Sequence, residues 1–307
     1  MRDPERVPPP PAMSSARQSR APLHAIYLVL AALVFAAMAI ATKVAAARLP
    51  GPQIAFVRFL IGLGACAIAR TRVRMQARNK VGLLMRGAFG GAAVLCFFLG
   101  IAHLPVGIAT LLNYTAPVFT AVYAALFLGE AITPTTLGAL GLTTVGVVMV
   151  MLGTAPAGSF VLGRWQLVGV LSAMLSGAAV ATIREVRKTD GSWEIFAAFC
   201  AAGAAICVVP AVRDWVAPTP REWLVLTVVG LTSVVGQLLM TYALRYVRAA
   251  VGGIIAQLTP VTSLALGWAI FGDRIGGLAL AGAVLTLVGV SVGGYLAAGR
   301  QADPVED

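Results

Sequence analysis

Long apolar runs separated by short polar gaps fill most of this chain, and the runs have the length of bilayer-crossing helices. A spanning helix needs roughly 20 predominantly apolar residues. Ten segments qualify: 23–45, 52–70, 81–102, 105–128, 133–153, 166–185, 194–213, 222–243, 248–271 and 276–298. The gaps hold helix-ending residues or charge: Leu49-Pro50-Gly51-Pro52, the basic run Arg70 to Lys80, Leu104-Pro105, Gly129-Glu130, Arg184 to Asp190, and Gly272-Asp273-Arg274. The pattern predicts an all-α membrane protein with ten transmembrane helices.

The apolar pattern also repeats. Pro117 pairs with Pro260, Gly129 with Gly272, Ile132 with Ile275, Leu142 with Leu285, Thr143 with Thr286 and Gly146 with Gly289, all at an offset of 143 residues. Glu130 and Asp273 fall in the same register, so an acid follows each glycine. Ten spans therefore divide into two repeats of five, 23–153 and 166–298, joined by a linker at 154–165. Five is odd, so the second copy is expected to lie inverted relative to the first, the symmetry used for alternating access.

Lys and Arg in the gaps set the expected direction. With the N-terminus inside, the inner segments hold fifteen cations: Arg2, Arg6, Arg17, Arg20, five between Arg70 and Lys80, Arg184, Arg187, Lys188, Arg245, Arg248 and Arg300. The outer ones hold six: Lys43, Arg48, Arg164, Arg213, Arg221 and Arg274. Both termini are expected in the cytoplasm. Residues 1–22, with the proline run Pro8 to Pro11, read as a disordered cytoplasmic tail and not a signal peptide, and 299–307 as a second tail.

Composition narrows the class. Of 307 residues 59% are hydrophobic and 11% charged, against about 25% charged in a soluble domain. The net charge of +11 sits in the gaps and follows membrane topology; it forms no basic groove, so no nucleic-acid partner is expected. Cys66, Cys96, Cys200 and Cys207 lie inside apolar stretches with no CxxC pair, and only His24 and His103 occur. They read as small buried hydrophobes, and no metal or other cofactor is expected.

The stretch Arg86-Gly87, Phe97-Phe98, Leu104-Pro105, Thr115-Ala116-Pro117-Val118-Phe119 and Leu126-Phe127-Leu128-Gly129-Glu130 resembles the EamA domain, the repeated unit of the drug/metabolite transporter superfamily. Leu258-Thr259-Pro260 and Phe271-Gly272-Asp273 carry the likeness in the second copy. The resemblance implies ten helices, a central cavity and transport of a small molecule, usually export of amino acids or related metabolites. Arg86-Gly87 at the start of span 3 is also similar to the branch that takes up S-adenosylmethionine, which leaves uptake or exchange of a nucleoside-like metabolite as an alternative.

Polar residues inside a bilayer are costly and are candidate ligands by default. Span 4 carries Asn113, Tyr114 and Thr115 before Pro117; span 9 carries Gln257 and Thr259 before Pro260. Each proline is expected to kink its helix and free carbonyls about a turn earlier, around Asn113 and Ala256. Freed carbonyls beside amides and hydroxyls make a neutral hydrogen-bonding site between the repeats; the alternative is that these side chains only bridge helices. Span 8 adds Gln237, Thr241 and Tyr242, the first two sharing a face at i,i+4. Arg58, about six residues into span 2, either faces the cavity and binds a substrate carboxylate or snorkels to the outer surface. Lys43 and Arg184, aligned at opposite span ends, read as interface anchors. None of the 12 carboxylates falls near mid-span, so no proton relay is visible and uniport or exchange is the expected mechanism. Gly87/Gly91 and Gly289/Gly293 form GxxxG pairs, the second of which offers a homodimer face to an otherwise monomeric protein.

These features fit a secondary carrier best. An intramembrane enzyme needs a nucleophile–base pair or clustered metal-binding acids at mid-span, and neither occurs. ATP-driven pumping needs a phosphate loop, and no GxxxxGK[ST] is present. A membrane scaffold or receptor has no use for inverted repeats with matched polar centres.

Overall fold

The computed structural model describes residues 21–73, 75–128, 134–153, 163–186, 189–243, 255–273 and 275–300. They are helical: α1 (Ala21–Ala45), α2 (Gly51–Arg70), α3 (Lys80–His103), α4 (Val106–Asn113), α5 (Ala116–Leu128), α6 (Pro134–Gly153), α7 (Arg164–Val186), α8 (Ser192–Arg213), α9 (Pro220–Ala243), α10 (Leu258–Leu266), which runs on into a π-helical turn (Gly267–Phe271), and α11 (Gly277–Arg300). No strand occurs among the described residues. Six helices, α1, α2, α3, α7, α8 and α9, are long and apolar enough to cross a membrane. Shorter apolar stretches, Val106–Thr120, Gly141–Val150, Leu258–Phe271 and Gly277–Val292, lie within the other four predicted spans.

Helix ends follow local chemistry. The Thr219 hydroxyl accepts the Glu222 backbone N–H while a Glu222 carboxylate oxygen accepts that of Thr219, a capping box that starts α9. The Asn79 side chain accepts the Gly82 N–H at the start of α3. After the π-turn Gly272 takes φ of 65°, the left-handed conformation glycine adopts at no steric cost. That turn brings Asp273 onto the start of α4, where its Oδ2 accepts the Val106 N–H at 3.3 Å. Gly129-Glu130 lies outside the described residues.

The interior is aromatic and aliphatic, with Ile54, Phe59, Phe98, Ile101 and Leu112 fully buried. The outer faces are equally apolar: Leu30, Ile68, Val81, Leu84, Val209, Leu224 and Val284 are exposed. A bundle greasy on both faces suits lipid as solvent.

Helix pairing follows the sequence repeat. Exchanging the two copies turns the α3–α7 contact into α9–α1, α3–α8 into α9–α2, and α5–α7 into α10–α1; α2–α8 and α6–α11 map onto themselves. The self-paired crossings are reciprocal at residue level. A Cβ on Gly146 would overlap Thr286, and one on Gly289 would overlap Thr143, which are equivalent contacts at offset 143. A Cβ on Gly62 would overlap the Cys200 thiol, and one on Gly203 the Phe59 ring, equivalent contacts at offset 141. Such self-complementary contacts define a two-fold axis. Gly289 is thus committed to α6 of its own chain.

Polar contacts tie opposite ends of the bundle. At one end the Gln53 side chain donates to the Val216 carbonyl at 2.7 Å and accepts the Val216 N–H at 3.0 Å, while Arg48 pairs with Glu222. At the other, Asp190 accepts the N–H groups of Arg78 (2.7 Å) and Asn79 (3.0 Å), and Glu194 that of Gln76. The start of α2 therefore lies beside the end of α8, and the end of α2 beside the start of α8. Equivalent helices run antiparallel, so the two copies are inverted.

Replacing Gly146 or Gly289 by Ala is expected to destabilise the protein by about 1–3 kcal/mol each, because the partner backbone cannot retreat. Gly141→Ala, whose Cβ meets nothing within 4 Å, is expected to be neutral or stabilising. Melting temperatures of the three purified variants in detergent test this.

Asp190 supplies a pH signature. Burial pushes its carboxyl up, but the Thr189 hydroxyl and the Arg78 and Asn79 N–H groups outweigh this and hold it below the ordinary carboxylate value. Its stabilisation is therefore present above the unfolded value of about 3.9 and disappears as pH falls through the lower folded value. Between pH 5 and 3 the melting temperature of wild type should fall more steeply than that of Asp190→Asn.

Candidate functional site

Span 4 is broken. α4 ends at Asn113, Tyr114 and Thr115 form a turn, and α5 starts at Ala116. Pro117 sits in the first turn of α5, where its missing N–H costs nothing. In span 9 the same break falls at Gln257, a turn residue between helical Ile255-Ala256 and α10, with Pro260 again in the first turn of the helix that follows. The prolines thus start the second half-helices, and the interruptions lie two or three residues before them.

The two breaks meet. The Gln257 side-chain amide donates to the Tyr114 carbonyl at 3.5 Å. Tyr114 and Gln257 are equivalent at offset 143, so this contact sits on the two-fold axis. The Tyr114 phenol lies beside Thr259, whose hydroxyl donates to the Ala32 carbonyl of α1 at 3.2 Å. Thr115 turns its hydroxyl to the Leu112 carbonyl at 2.7 Å. Asn113 donates to two serines on α7, Ser172 and, at 3.3 Å, Ser176, and the Ser172 hydroxyl donates to the Ala93 carbonyl of α3 at 3.0 Å. Asn113, Tyr114, Thr115, Gln257 and Thr259 therefore form one polar cluster across both repeats. Gln257 also borders an open surface depression of about 530 Å³ whose lining includes Val29, Ile255, Leu258, Leu287 and Ser291.

Two other groups lie apart. Gln237 is half-buried on α9, next to Gly236, whose Cα abuts the Phe35 ring of α1; no described hydrogen bond joins it to the cluster. The side chains of Thr241, Tyr242 and Arg184 lie outside the described residues. Arg58 is only 4% exposed and does not snorkel. Its guanidinium lies 4.9 Å from the Phe59 ring centroid and 5.4 Å from that of Phe199. Lys43 donates to the carbonyls of Ile101 (3.0 Å) and Leu104 (2.8 Å), closing the end of α3.

Sequence reasoning passed over Ser172, Ser176 and Arg86. The serines share a face at i,i+4 on α7, a signal of the same kind that singled out Gln237 and Thr241. Arg86, which entered only through the Arg86-Gly87 resemblance, is 8% exposed and stacks 4.7 Å from the Phe199 centroid.

An inverted pair of helical repeats with interrupted helices meeting on its axis defines a class, the repeat-built membrane transporters. The chain matches the EamA-like transporter family over residues 23–152 and 163–293. It belongs to that family, and its function is membrane transport. It is 30% identical over 263 residues to the pseudopaline exporter CntI of Pseudomonas aeruginosa, covering 85% of this chain and 92% of the relative. It is 28% identical over 229 residues to human solute carrier family 35 member E4, covering 70% and 63%. A solved crystal structure shares the fold, with a TM-score of 0.62 at 22% identity over 93% of this chain and 99% of the other.

Ser172→Ala removes one of the two serine partners of Asn113 and the link to Ala93. Interhelical hydrogen bonds of this kind are worth about 0.6–2 kcal/mol, and a loss in that range, read from detergent unfolding, is expected.

Proposed function

We propose that the protein is a secondary transporter that exports a small metabolite, an amino acid or a related compound, across the cytoplasmic membrane by alternating access. Ten helices in two inverted five-helix repeats cross the membrane with both termini in the cytoplasm, and Asn113, Tyr114, Thr115, Gln257 and Thr259 form part of the substrate site. The observation behind this reading is the Tyr114–Gln257 contact, which places two interrupted helices against each other on the two-fold axis. Interrupted backbone at membrane depth is tolerated only inside protein or beside a water-filled cavity, and a site on the axis stays in place while the repeats rock about it. The direction, export, takes support from the name of the Pseudomonas relative. The absence of a carboxylate at mid-span in the sequence favours uniport or exchange over proton coupling.

Purified protein in liposomes, assayed by counterflow of labelled amino acids, tests this. Asn113→Ala and Gln257→Ala should each reduce transport about tenfold, the equivalent of one lost hydrogen bond of roughly 1.4 kcal/mol, with unchanged folded yield. Unaltered transport in both variants overturns the site; a strict requirement for a pH gradient overturns uniport.

A further inference from the structure

Arg58 and Arg86 form a second polar cluster, and the hydrogen-bonded centre does not use it. They start from opposite ends of the bundle: Arg58 lies roughly 10 Å along α2, and Arg86 roughly 9 Å along α3 from the other end. Both reach the same ring, Phe199 of α8, with Arg58 at 5.4 Å and Arg86 at 4.7 Å from its centroid. Phe59 and Phe98 complete an aromatic wall around Arg58, and Phe59 meets Phe199 edge-to-face at 5.3 Å. At the offset of 141 that relates α2 to α8, the equivalent of Arg58 is Phe199 itself. A residue touching its own equivalent lies on the two-fold axis, so Arg58 and Phe199 sit on the same axis as Tyr114 and Gln257, with Arg86 beside them.

The charges there are unanswered. The ionisable groups acting on Arg58 are the thiols of Cys200 and Cys207; those acting on Arg86 are Cys200 and Arg58. No carboxylate faces either guanidinium among the described residues. Nε and Nη1 of both arginines are buried without a hydrogen-bond partner. Two adjacent buried cations repel each other and lose their hydration, and ring stacking engages a guanidinium face while leaving its N–H edge free. The free N–H groups are charge-assisted donors of the kind that bind carboxylate oxygens. The surroundings are shaped to keep the pair there. A Cβ on Gly90 would collide with Nη1 of Arg86 and with Phe199, and a Cβ on Gly203 would collide with Phe59.

We propose that Arg58 and Arg86 together bind a small organic dianion, so that the transported substrate is a dicarboxylate, acidic amino acids included, with one carboxylate on each arginine. This rests on the transporter reading and narrows its substrate. Both arginines are enclosed by α2, α3 and α8, which favours a soluble dianion over the headgroup of a lipid.

The test is thermal unfolding of purified protein in chloride-free detergent buffer. The probes are dicarboxylates from succinate to pimelate, glutamate and aspartate, set against their diamides at matched ionic strength. Wild type is expected to show a saturable rise in melting temperature with at least one dicarboxylate and none with its diamide. Arg58→Gln and Arg86→Gln should each weaken that apparent affinity tenfold or more. Should the glutamine variants fail to fold, Arg58→Lys and Arg86→Lys keep the charge, lose the planar array of N–H donors, and should weaken binding several-fold. Three results overturn the proposal: no dicarboxylate shift in wild type, equal shifts with diamides, or a shift produced only by phosphatidylglycerol in nanodiscs. Counterflow of a neutral amino acid that survives in the Arg58 and Arg86 variants also overturns it, and leaves the transport reading standing. Dicarboxylate binding without counterflow of any substrate overturns transport and leaves the anion site intact.

Discussion

Lipid offers helices no hydrophobic reason to associate, so a membrane bundle depends on how closely its backbones can approach. In this protein that closeness occurs at several crossings, among them α3–α8 through Gly87 and Gly91 and the two that the two-fold axis maps onto themselves. Gly146 and Gly289 bring α6 and α11 into backbone contact through Thr286 and Thr143, and Gly62 and Gly203 seat Cys200 and Phe59 between α2 and α8. Each contact occurs twice, once from each copy. The remaining helix pairs, α3–α7 with α9–α1 and α3–α8 with α9–α2, are then arranged in equivalent ways around the axis. An isologous contact of this kind holds two halves together without fixing a unique angle between them, which is what a rocking motion needs.

The same axis passes through the interrupted helices. A break in a helix releases carbonyl and N–H groups that lipid cannot satisfy. Here the groups around Tyr114 meet Gln257 from the other copy, Asn113 meets Ser172 and Ser176, and Thr115 caps Leu112. The breaks are sheltered because they lie where the two copies touch. In the proposed mechanism, a ligand with better hydrogen bonds than these would have a site that both halves share and that neither must abandon as they move.

Much of this was legible in the chain. The offset of 143 residues and the odd number of apolar runs per copy imply inversion, and the reciprocal glycine contacts are its physical form. Asn113, Tyr114, Gln257 and Thr259 stood out because amides and hydroxyls are conspicuous in apolar runs. Three things were less legible, for separable reasons. Proline is tolerated in the first turn of a helix, so its position marks the start of the second half-helix and places the interruption slightly upstream. Ser172 and Ser176 are small polar residues that blend into a helix rich in Ala and Gly, and only the fold reveals that they face Asn113. Arg86 lies near a span end, where an arginine ordinarily snorkels; the depth to which its side chain runs depends on Gly90 making room beneath it, which no one-dimensional pattern expresses.

What the two copies share and what they do not have different consequences. The shared features, the small residues at the crossings and the prolines after each break, belong to the framework and to its motion. Unshared residues also meet on the axis itself: Tyr114 against Gln257, Arg58 against Phe199, Phe59 against Cys200. A perfectly symmetric pair of copies would present an axial site with two-fold symmetry, suited to a two-fold symmetric ligand. Divergence at axial positions alters the site most while disturbing the framework least, because an axial residue contacts its own equivalent and each such pair has only one occurrence. The replacement of a cation by a phenyl ring across the axis goes further than a change of shape. It lets one copy supply the charge and the other the apolar surface on which that charge stacks, so a buried guanidinium is held with no carboxylate facing it among the described residues.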